Sequence, residues 1–140
     1  MAERAAPRVV ADVLYARDAC SQALGVEIVS VASGSCVARM AVRREMCNGF
    51  GIVHGGMTFL LADTAMAFAS NADDEVALAS SAEIDWLAPV QDGDVVTATA
   101  DRVWSNGRSA VWDITITNGA EEVVAIVRGR TRKVGRRVID

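Results

Sequence analysis

Apolar residues recur every three or four positions over residues 8 to 24, which predicts one amphipathic helix near the start of the chain. Pro7 precedes this pattern and Gly25 follows it, and these are typical helix start and stop residues. We expect the apolar side of the helix to pack against the rest of the domain. Its apolar residues are Val10, Val13, Leu14, Cys20 and Leu24.

Residues 26 to 32 and 35 to 42 form two short segments separated by the turn dipeptide Ser33-Gly34. The second segment alternates apolar and charged side chains, as expected of a strand with one buried face. The two segments are therefore predicted to form a β-hairpin. The alternating residues are Cys36, Ala38, Met40 and Val42 on one side and Arg39 and Arg43 on the other.

Four later runs alternate with a period of two, and turn residues such as Asn106-Gly107 and Asn118-Gly119 separate them. The last three runs are therefore predicted to form an antiparallel meander. We expect the apolar members of all four runs, including three tryptophans, to share one buried face. These members are Leu78, Ala82, Ile84 and Trp86; Val96, Ala98, Ala100 and Trp104; Ala110, Trp112, Ile114 and Ile116; and Val124 and Ile126.

Residues 55 to 73 are nearly all apolar and predict a long buried helix. A sheet of about six strands with one apolar face needs a cover, and this helix is the element hydrophobic enough to supply it. The predicted fold class is α+β, with a curved antiparallel sheet wrapped around one long central helix and a further helix at the N-terminus. A chain of 140 residues suits a single domain spanning residues 1–140.

Composition and charge narrow the classes of protein. The chain is 51% apolar and 23% charged, as in ordinary globular proteins, and its net charge of −4 argues against a nucleic-acid partner. Three cysteines without a C-x-x-C pair predict a reducing compartment, and the cytoplasm fits. The N-terminus lacks a signal-peptide pattern, and the longest apolar run, residues 52 to 69, is too rich in small and polar residues for a membrane span.

Asp63 places a carboxylate in the middle of the predicted central helix. An isolated charge in a low-dielectric core is costly unless it is paired, protonated or used in chemistry. In a structural interpretation Thr64 or backbone groups hold this carboxylate. In a functional interpretation it acts on a substrate, and two glycines and the only histidine of the chain lie just upstream.

Three short motifs at this helix resemble those of a known family: Asn48-Gly49, His54-Gly55-Gly56 and Leu61-Ala62-Asp63-Thr64-Ala65. The combination is similar to the hotdog-fold acyl-CoA thioesterases, and within them to the phenylacetyl-CoA thioesterase branch. The likeness continues into residues 84–94 and 127–133. It implies hydrolysis of an acyl-CoA with an aryl or medium-sized acyl group, without metal or redox cofactor. It also implies a homodimer with two shared active sites and a dimer of dimers.

The chemistry of the helix supports this resemblance. Free backbone N–H groups at a helix N-terminus can polarise a thioester carbonyl, and Gly55 lets a substrate approach that backbone closely. Asp63 can act as a general base or as a nucleophile. Eight residues of helix separate the two by roughly 12 Å, too far for one reaction centre. We therefore expect Asp63 of one subunit to lie opposite Gly55 of its partner across a twofold axis.

The remaining candidates near the helix have roles that the sequence leaves open. His54 either transfers a proton or only positions the loop. Asn48 either braces the loop or hydrogen-bonds the water or the substrate. We assign both residues, together with Thr64, to the catalytic site, and we assign Gly56 to substrate binding.

Arg128, Arg130 and Arg132 alternate onto one face of the last predicted strand. Two interpretations are equally favoured: a solvated face, or binding of the coenzyme A phosphates. Two alternative functions also remain. One is a non-catalytic acyl-CoA sensor, which has no need of the Asp63 carboxylate. The other is a hotdog enoyl-CoA hydratase, which requires an Asp and His pair as acid and base.

Overall fold

The computed structural model describes residues 3–140 and contains three α-helices and six β-strands. The helices are α1 (Pro7–Ala16), α2 (Ala19–Ala23) and α3 (Gly55–Asn71), and a 3₁₀ turn covers Arg44–Met46. The strands are β1 (Glu27–Ala32), β2 (Ser35–Ala41), β3 (Ala77–Trp86), β4 (Val95–Asn106), β5 (Ser109–Thr117) and β6 (Val123–Lys133). Within residues 3–140, no helix combines the length and the apolar character that crossing a membrane requires.

The six strands form one antiparallel sheet in the order β1-β2-β4-β5-β6-β3. The predicted β1–β2 hairpin and the β4–β5–β6 meander are both confirmed. Helix α3 packs across the inner face of the sheet and buries Leu61, Ala65 and Met66 completely. The predicted curved sheet around one long helix, the hotdog architecture, is therefore confirmed.

The prediction of one continuous helix over residues 8 to 24 is wrong. The chain breaks between α1 and α2, because Asp18 caps a new helix: its carboxylate accepts a hydrogen bond from the Ser21 N–H at 2.9 Å. An aspartate is a strong N-cap residue and satisfies a backbone donor that would otherwise be free. The apolar spacing runs on through the break, so periodicity alone does not reveal it.

The expectation that each alternating run keeps its apolar residues on one buried face is wrong at five positions. Ala82 and Trp86 lie on the inner face of β3 but are exposed, and three further residues lie on the outer face. Leu78, Trp104 and Ile126 are 56%, 52% and 44% exposed. The strand register shifts at Ala79/Ser81 in β3 and at Arg102/Trp104 in β4, so Leu78 and Trp104 lie on the outer face. In β6 the shift at the β5 pairing puts Ile126 outside. A bulge inserts one residue and therefore reverses the side-chain phase beyond it.

The two edges of the sheet differ. Side chains of α1 cover β1, since Arg8 donates to the Ile28 carbonyl at 2.9 Å and Tyr15 donates to the Val26 carbonyl at 2.7 Å. Strand β3 forms the other edge, and its central residues 78–83 are exposed. A long uncovered edge strand offers unpaired N–H and C=O groups to another chain.

Candidate active site

The start of α3 is capped by His54, one of the residues assigned to the catalytic site. His54 is the N-cap, in an extended conformation, and its ring atom Nδ1 accepts a hydrogen bond from the Gly56 N–H at 2.9 Å. The His54 carbonyl accepts from the Met57 N–H at 2.9 Å. An accepting Nδ1 places the proton of the neutral imidazole on Nε2. His54 therefore positions the loop through Nδ1.

These contacts leave one donor of the first helical turn free. The N–H groups of Gly56 and Met57 both donate to His54, whereas the Gly55 N–H has no acceptor among residues 3–140. A free N–H at the first turn carries the positive end of the helix dipole and suits a developing oxyanion. The prediction that Gly56 contributes to substrate binding stays a prediction, and its N–H is already engaged.

The loop before α3 is held by backbone and side-chain hydrogen bonds. The Asn48 side-chain oxygen accepts from the Phe50 N–H at 2.9 Å, and the Asn48 N–H donates to the Ile52 carbonyl at 2.8 Å. The His54 N–H donates to the Met46 carbonyl at 2.7 Å. Asn48 thus braces the loop, while its side-chain nitrogen has no partner in the part of the chain that the structure describes. That nitrogen remains available to a water molecule or a substrate.

A pocket of about 460 Å³ opens beside Gly55. Its wall is mostly apolar, which suits an acyl chain or ring. Asn48 and Thr58 add polar groups to it. The other lining residues are Ile52, Val53, Trp86, Leu87, Ala88, Pro89, Val90 and Val124.

Trp86 belongs to this pocket, and the expectation that it lies in the core is wrong. It is 57% exposed, and its indole N–H donates to the Gly55 carbonyl at 3.1 Å. Only Trp112 of the three tryptophans is buried, at 1% exposure, with its N–H on the Thr131 hydroxyl. No sequence signal marks Trp86 as a site residue, because alternation is the same for a core position and a pocket wall.

Asp63 lies two turns along α3 from Gly55, at roughly 12 Å by helical rise. It is exposed at the surface of the single chain, and among the described residues it has neither a hydrogen-bond partner nor an ion-pair partner. The surrounding protein still desolvates the carboxyl, which raises its pKa. Thr64 does not hold Asp63, because its hydroxyl donates to the Leu60 carbonyl at 2.8 Å. The structural interpretation of Asp63 is therefore not supported by its contacts.

The three arginines lie on the outer face of β6, opposite α3. Gly129, between them in the chain, faces Met66 of the helix, while Arg128, Arg130 and Arg132 are exposed. The single chain therefore does not bring them to the Gly55 pocket. Their assignment to coenzyme A stays a prediction.

Arg128 already has a partner on that face. Its guanidinium forms a bidentate ion pair with the Asp113 carboxylate, through two hydrogen bonds of 2.7 and 2.9 Å. This contact lowers the pKa of the Asp113 carboxyl and raises that of Arg128. Arg128 and Asp113 line a depression in the surface of the protein, and Glu83 and Asp85 line it as well. The negative charge of these carboxylates disfavours the binding of phosphate there.

Residues 50–125 match the family model of the thioesterase superfamily, and the chain belongs to that family. The match contains the start of α3, all of the pocket wall except Asn48, and Asp63. The resemblance predicted from the three motifs is thereby confirmed, as is the assignment of the chain to the acyl-CoA thioesterases.

Comparison with individual proteins identifies relatives with narrower activities than the family model describes. The acyl-coenzyme A thioesterase PaaI of Escherichia coli is 42% identical over 125 residues, which cover 89% of each chain. A 1,4-dihydroxy-2-naphthoyl-CoA hydrolase of Listeria monocytogenes is 34% identical, over 76% of this chain and 89% of the relative. The solved structure of E. coli PaaI, from the phenylacetic acid degradation operon, superposes with a TM-score of 0.92 at 40% identity, covering 94% of this chain and 95% of that one.

A structure from Streptococcus mutans bound to acetyl CoA superposes with a TM-score of 0.76 at 25% identity. It covers 80% of this chain and 90% of that one. A fold of this kind thus accommodates a coenzyme A thioester.

Proposed function

We propose that this protein hydrolyses a phenylacetyl-CoA-like thioester, with an aryl or medium-sized acyl group, to the free acid and coenzyme A. The observation that carries the proposal is the unpartnered Gly55 N–H at the start of α3, beside an apolar pocket of about 460 Å³. The likeness to PaaI, 42% over 125 residues, supports the acyl class. Water is the second substrate, and the reaction needs no metal or redox cofactor.

In this mechanism the thioester oxygen accepts the Gly55 N–H. The free N–H and the helix dipole stabilise the negative charge that forms on this oxygen when a nucleophile adds to the carbonyl carbon. Collapse of the tetrahedral intermediate breaks the carbon–sulfur bond, and the coenzyme A thiolate leaves and takes up a proton. Asn48, whose side-chain nitrogen is unengaged, can donate to the water or to the substrate.

The nucleophile is supplied through Asp63. As a general base, its carboxylate removes a proton from water while the water oxygen attacks the carbonyl carbon. As a nucleophile, it forms a mixed anhydride that water then hydrolyses. The desolvation that raises the pKa of Asp63 increases its basicity, which suits the first route. Thr64 lies next to Asp63 on the helix. His54 holds the start of α3, where the oxyanion is proposed to bind.

Because one chain separates the two groups by roughly 12 Å, the site we propose is shared by two subunits. Two features support a homodimer. A partly exposed stripe runs along α3 through Gly56, Leu60, Asp63 and Ala67. The edge of β3 is uncovered along residues 78–83. We extend the proposal to a dimer of dimers on the family resemblance, and to the cytoplasm, where three free thiols remain reduced.

The test is a panel of acyl-CoAs with a thiol reagent that reports free coenzyme A. We expect turnover of phenylacetyl-, hydroxyphenylacetyl- or benzoyl-CoA in preference to short straight-chain substrates. The matched control is Asp63→Asn, which keeps the shape but removes the base or nucleophile, and we expect its kcat to fall at least about 100-fold. Binding of these acyl-CoAs without hydrolysis by the wild type would favour the sensor. Hydration of an enoyl-CoA would favour the hydratase.

A further inference from the structure

The indole of Trp86 contacts the backbone of the proposed oxyanion site directly. Trp86 ends β3 on the inner face of the sheet, opposite Ala125 of β6, and its N–H donates to the Gly55 carbonyl at 3.1 Å. The hydrogen bond joins residues 31 positions apart in the chain. It is a tertiary contact between the edge strand and the start of the central helix.

This contact completes a clamp on one peptide group. The peptide between Gly55 and Gly56 has its carbonyl held by Trp86 and its N–H held by His54 Nδ1, at 3.1 and 2.9 Å. A peptide group is planar, so two hydrogen bonds on its opposite sides fix its orientation. The preceding peptide carries the free Gly55 N–H, and the two planes share the Gly55 Cα.

The packing around Gly55 shows how closely the indole approaches. A Cβ atom added at Gly55 would lie 2.9 Å from Trp86 Nε1 and 3.0 Å from Cε2. Real Cβ atoms do not approach so closely, so a side chain here must displace the indole. Glycine at position 55 is therefore required by Trp86 as well as by access to the backbone.

We propose that Trp86 is a positioning residue that orients the Gly55 N–H toward the thioester oxygen through its hydrogen bond to the Gly55 carbonyl. The proposal rests on the proposed thioesterase function. Without the indole N–H, the peptide loses one of its two side-chain restraints and keeps the His54 contact and the helical hydrogen bond at the Gly55 carbonyl, so the Gly55 N–H is held less firmly toward the oxyanion. Preorganised donors are effective because they need no reorientation during the reaction. The effect is accordingly on kcat and is independent of the acyl group.

The first experiment compares Trp86→Phe with Trp104→Phe. Trp104 is a matched control, since it is 52% exposed, lies on the outer face of the sheet and makes no side-chain hydrogen bond within residues 3–140. We expect Trp86→Phe to lower kcat by about 2- to 13-fold, the range for losing one neutral hydrogen bond. The loss should be equal for every acyl-CoA that the wild type hydrolyses. Trp104→Phe should match the wild type.

The second experiment is a double-mutant cycle between Gly55→Ala and Trp86→Leu. The alanine methyl displaces the indole, so Gly55→Ala alone should lower kcat by a factor similar to that for loss of the indole. In the Trp86→Leu background there is no indole to displace, and Gly55→Ala should add less than about a twofold loss. Contacting residues show such non-additivity, whereas independent residues do not.

The outcomes separate this inference from the function on which it rests. If the wild type hydrolyses no thioester, the proposed function fails and the role of Trp86 fails with it. If the wild type is active but Trp86→Phe retains wild-type kcat, the positioning role alone is refuted. A loss confined to KM for one acyl class, or an additive cycle, would likewise refute it and leave Trp86 as a pocket wall only. Matching circular dichroism and dimer mass verify that each variant is folded.

Discussion

Replacing Gly55 by proline removes the proposed oxyanion donor while sparing the helix. Proline lacks the N–H but is tolerated in the first turn, where that N–H has no intrahelical partner. The backbone accepts the change on both sides. His54 has φ −64° and ψ 132°, within the extended region that a residue before proline prefers, and Gly55 opens α3 with a negative φ.

The loss of kcat caused by removing the Gly55 N–H is measured as the difference between Gly55→Pro and Gly55→Ala. Any side chain at position 55 meets the Trp86 indole at 2.9 Å, so Gly55→Ala and Gly55→Pro share that crowding. Only the proline also deletes the N–H. We expect kcat of Gly55→Pro to fall about 100- to 1000-fold below that of Gly55→Ala, the scale of one oxyanion-hole donor.

The assay is release of free thiol from the preferred acyl-CoA at saturating concentration, so that kcat is separated from KM. Circular dichroism and light scattering establish that both variants keep the fold and the oligomeric state. Equal kcat for the folded alanine and proline variants would show that the helix N-terminus is not the oxyanion site. Asp63 would then have to work with another donor.

Four further predictions concern Asp63, the shared site and the C-terminal segment. Because desolvation raises the folded-state pKa of Asp63, its charge destabilises the fold as pH rises through that value, so Asp63→Asn should keep or raise the Tm at neutral pH. The acid limb of the wild-type pH–kcat profile should lie above about 3.9, and a limb at or below it contradicts the desolvation argument. Mixing equal amounts of the Asp63→Asn and Gly55→Pro variants should restore about a quarter of wild-type activity. Half of the randomly exchanged dimers contain one subunit of each variant, and each such dimer has one intact site out of two. If subunit exchange is verified and no activity returns, the shared site is refuted. The buried Asp74 carboxylate accepts a hydrogen bond from the Ile139 N–H at 2.9 Å and pairs with Arg137, and these contacts lower the pKa of Asp74. Asp74→Asn should therefore lower the Tm at neutral pH, and the difference from wild type should vanish as pH falls below about 3.9 through the folded-state pKa of Asp74. An unchanged Tm at pH 7 would refute the role of this contact.

Periodicity and turn chemistry determined most of the elements. The predicted helix over residues 55 to 73 is observed as Gly55–Asn71, and the hairpin around Ser33-Gly34 has the predicted strands. The turn at Asn106-Gly107 needs a positive φ, and Gly107 adopts 58°. These features depend on neighbours in the chain, so the sequence alone is sufficient to predict them. The motif around Asp63 likewise identifies the family without a structure.

The three-dimensional structure decided which face each strand residue occupies and what surrounds Gly55. A β-bulge depends on the partner strand, so the reversed phases of Leu78 and Trp104 have no local signal. Trp86 alternates like a core residue, yet it hydrogen-bonds to a carbonyl 31 residues away. The free N–H of Gly55 is also a tertiary result, because it depends on which acceptors the folded chain brings near the start of α3. Sequence patterns record local geometry, whereas a site assembled from a strand edge and a helix end is fixed only when the two elements pack.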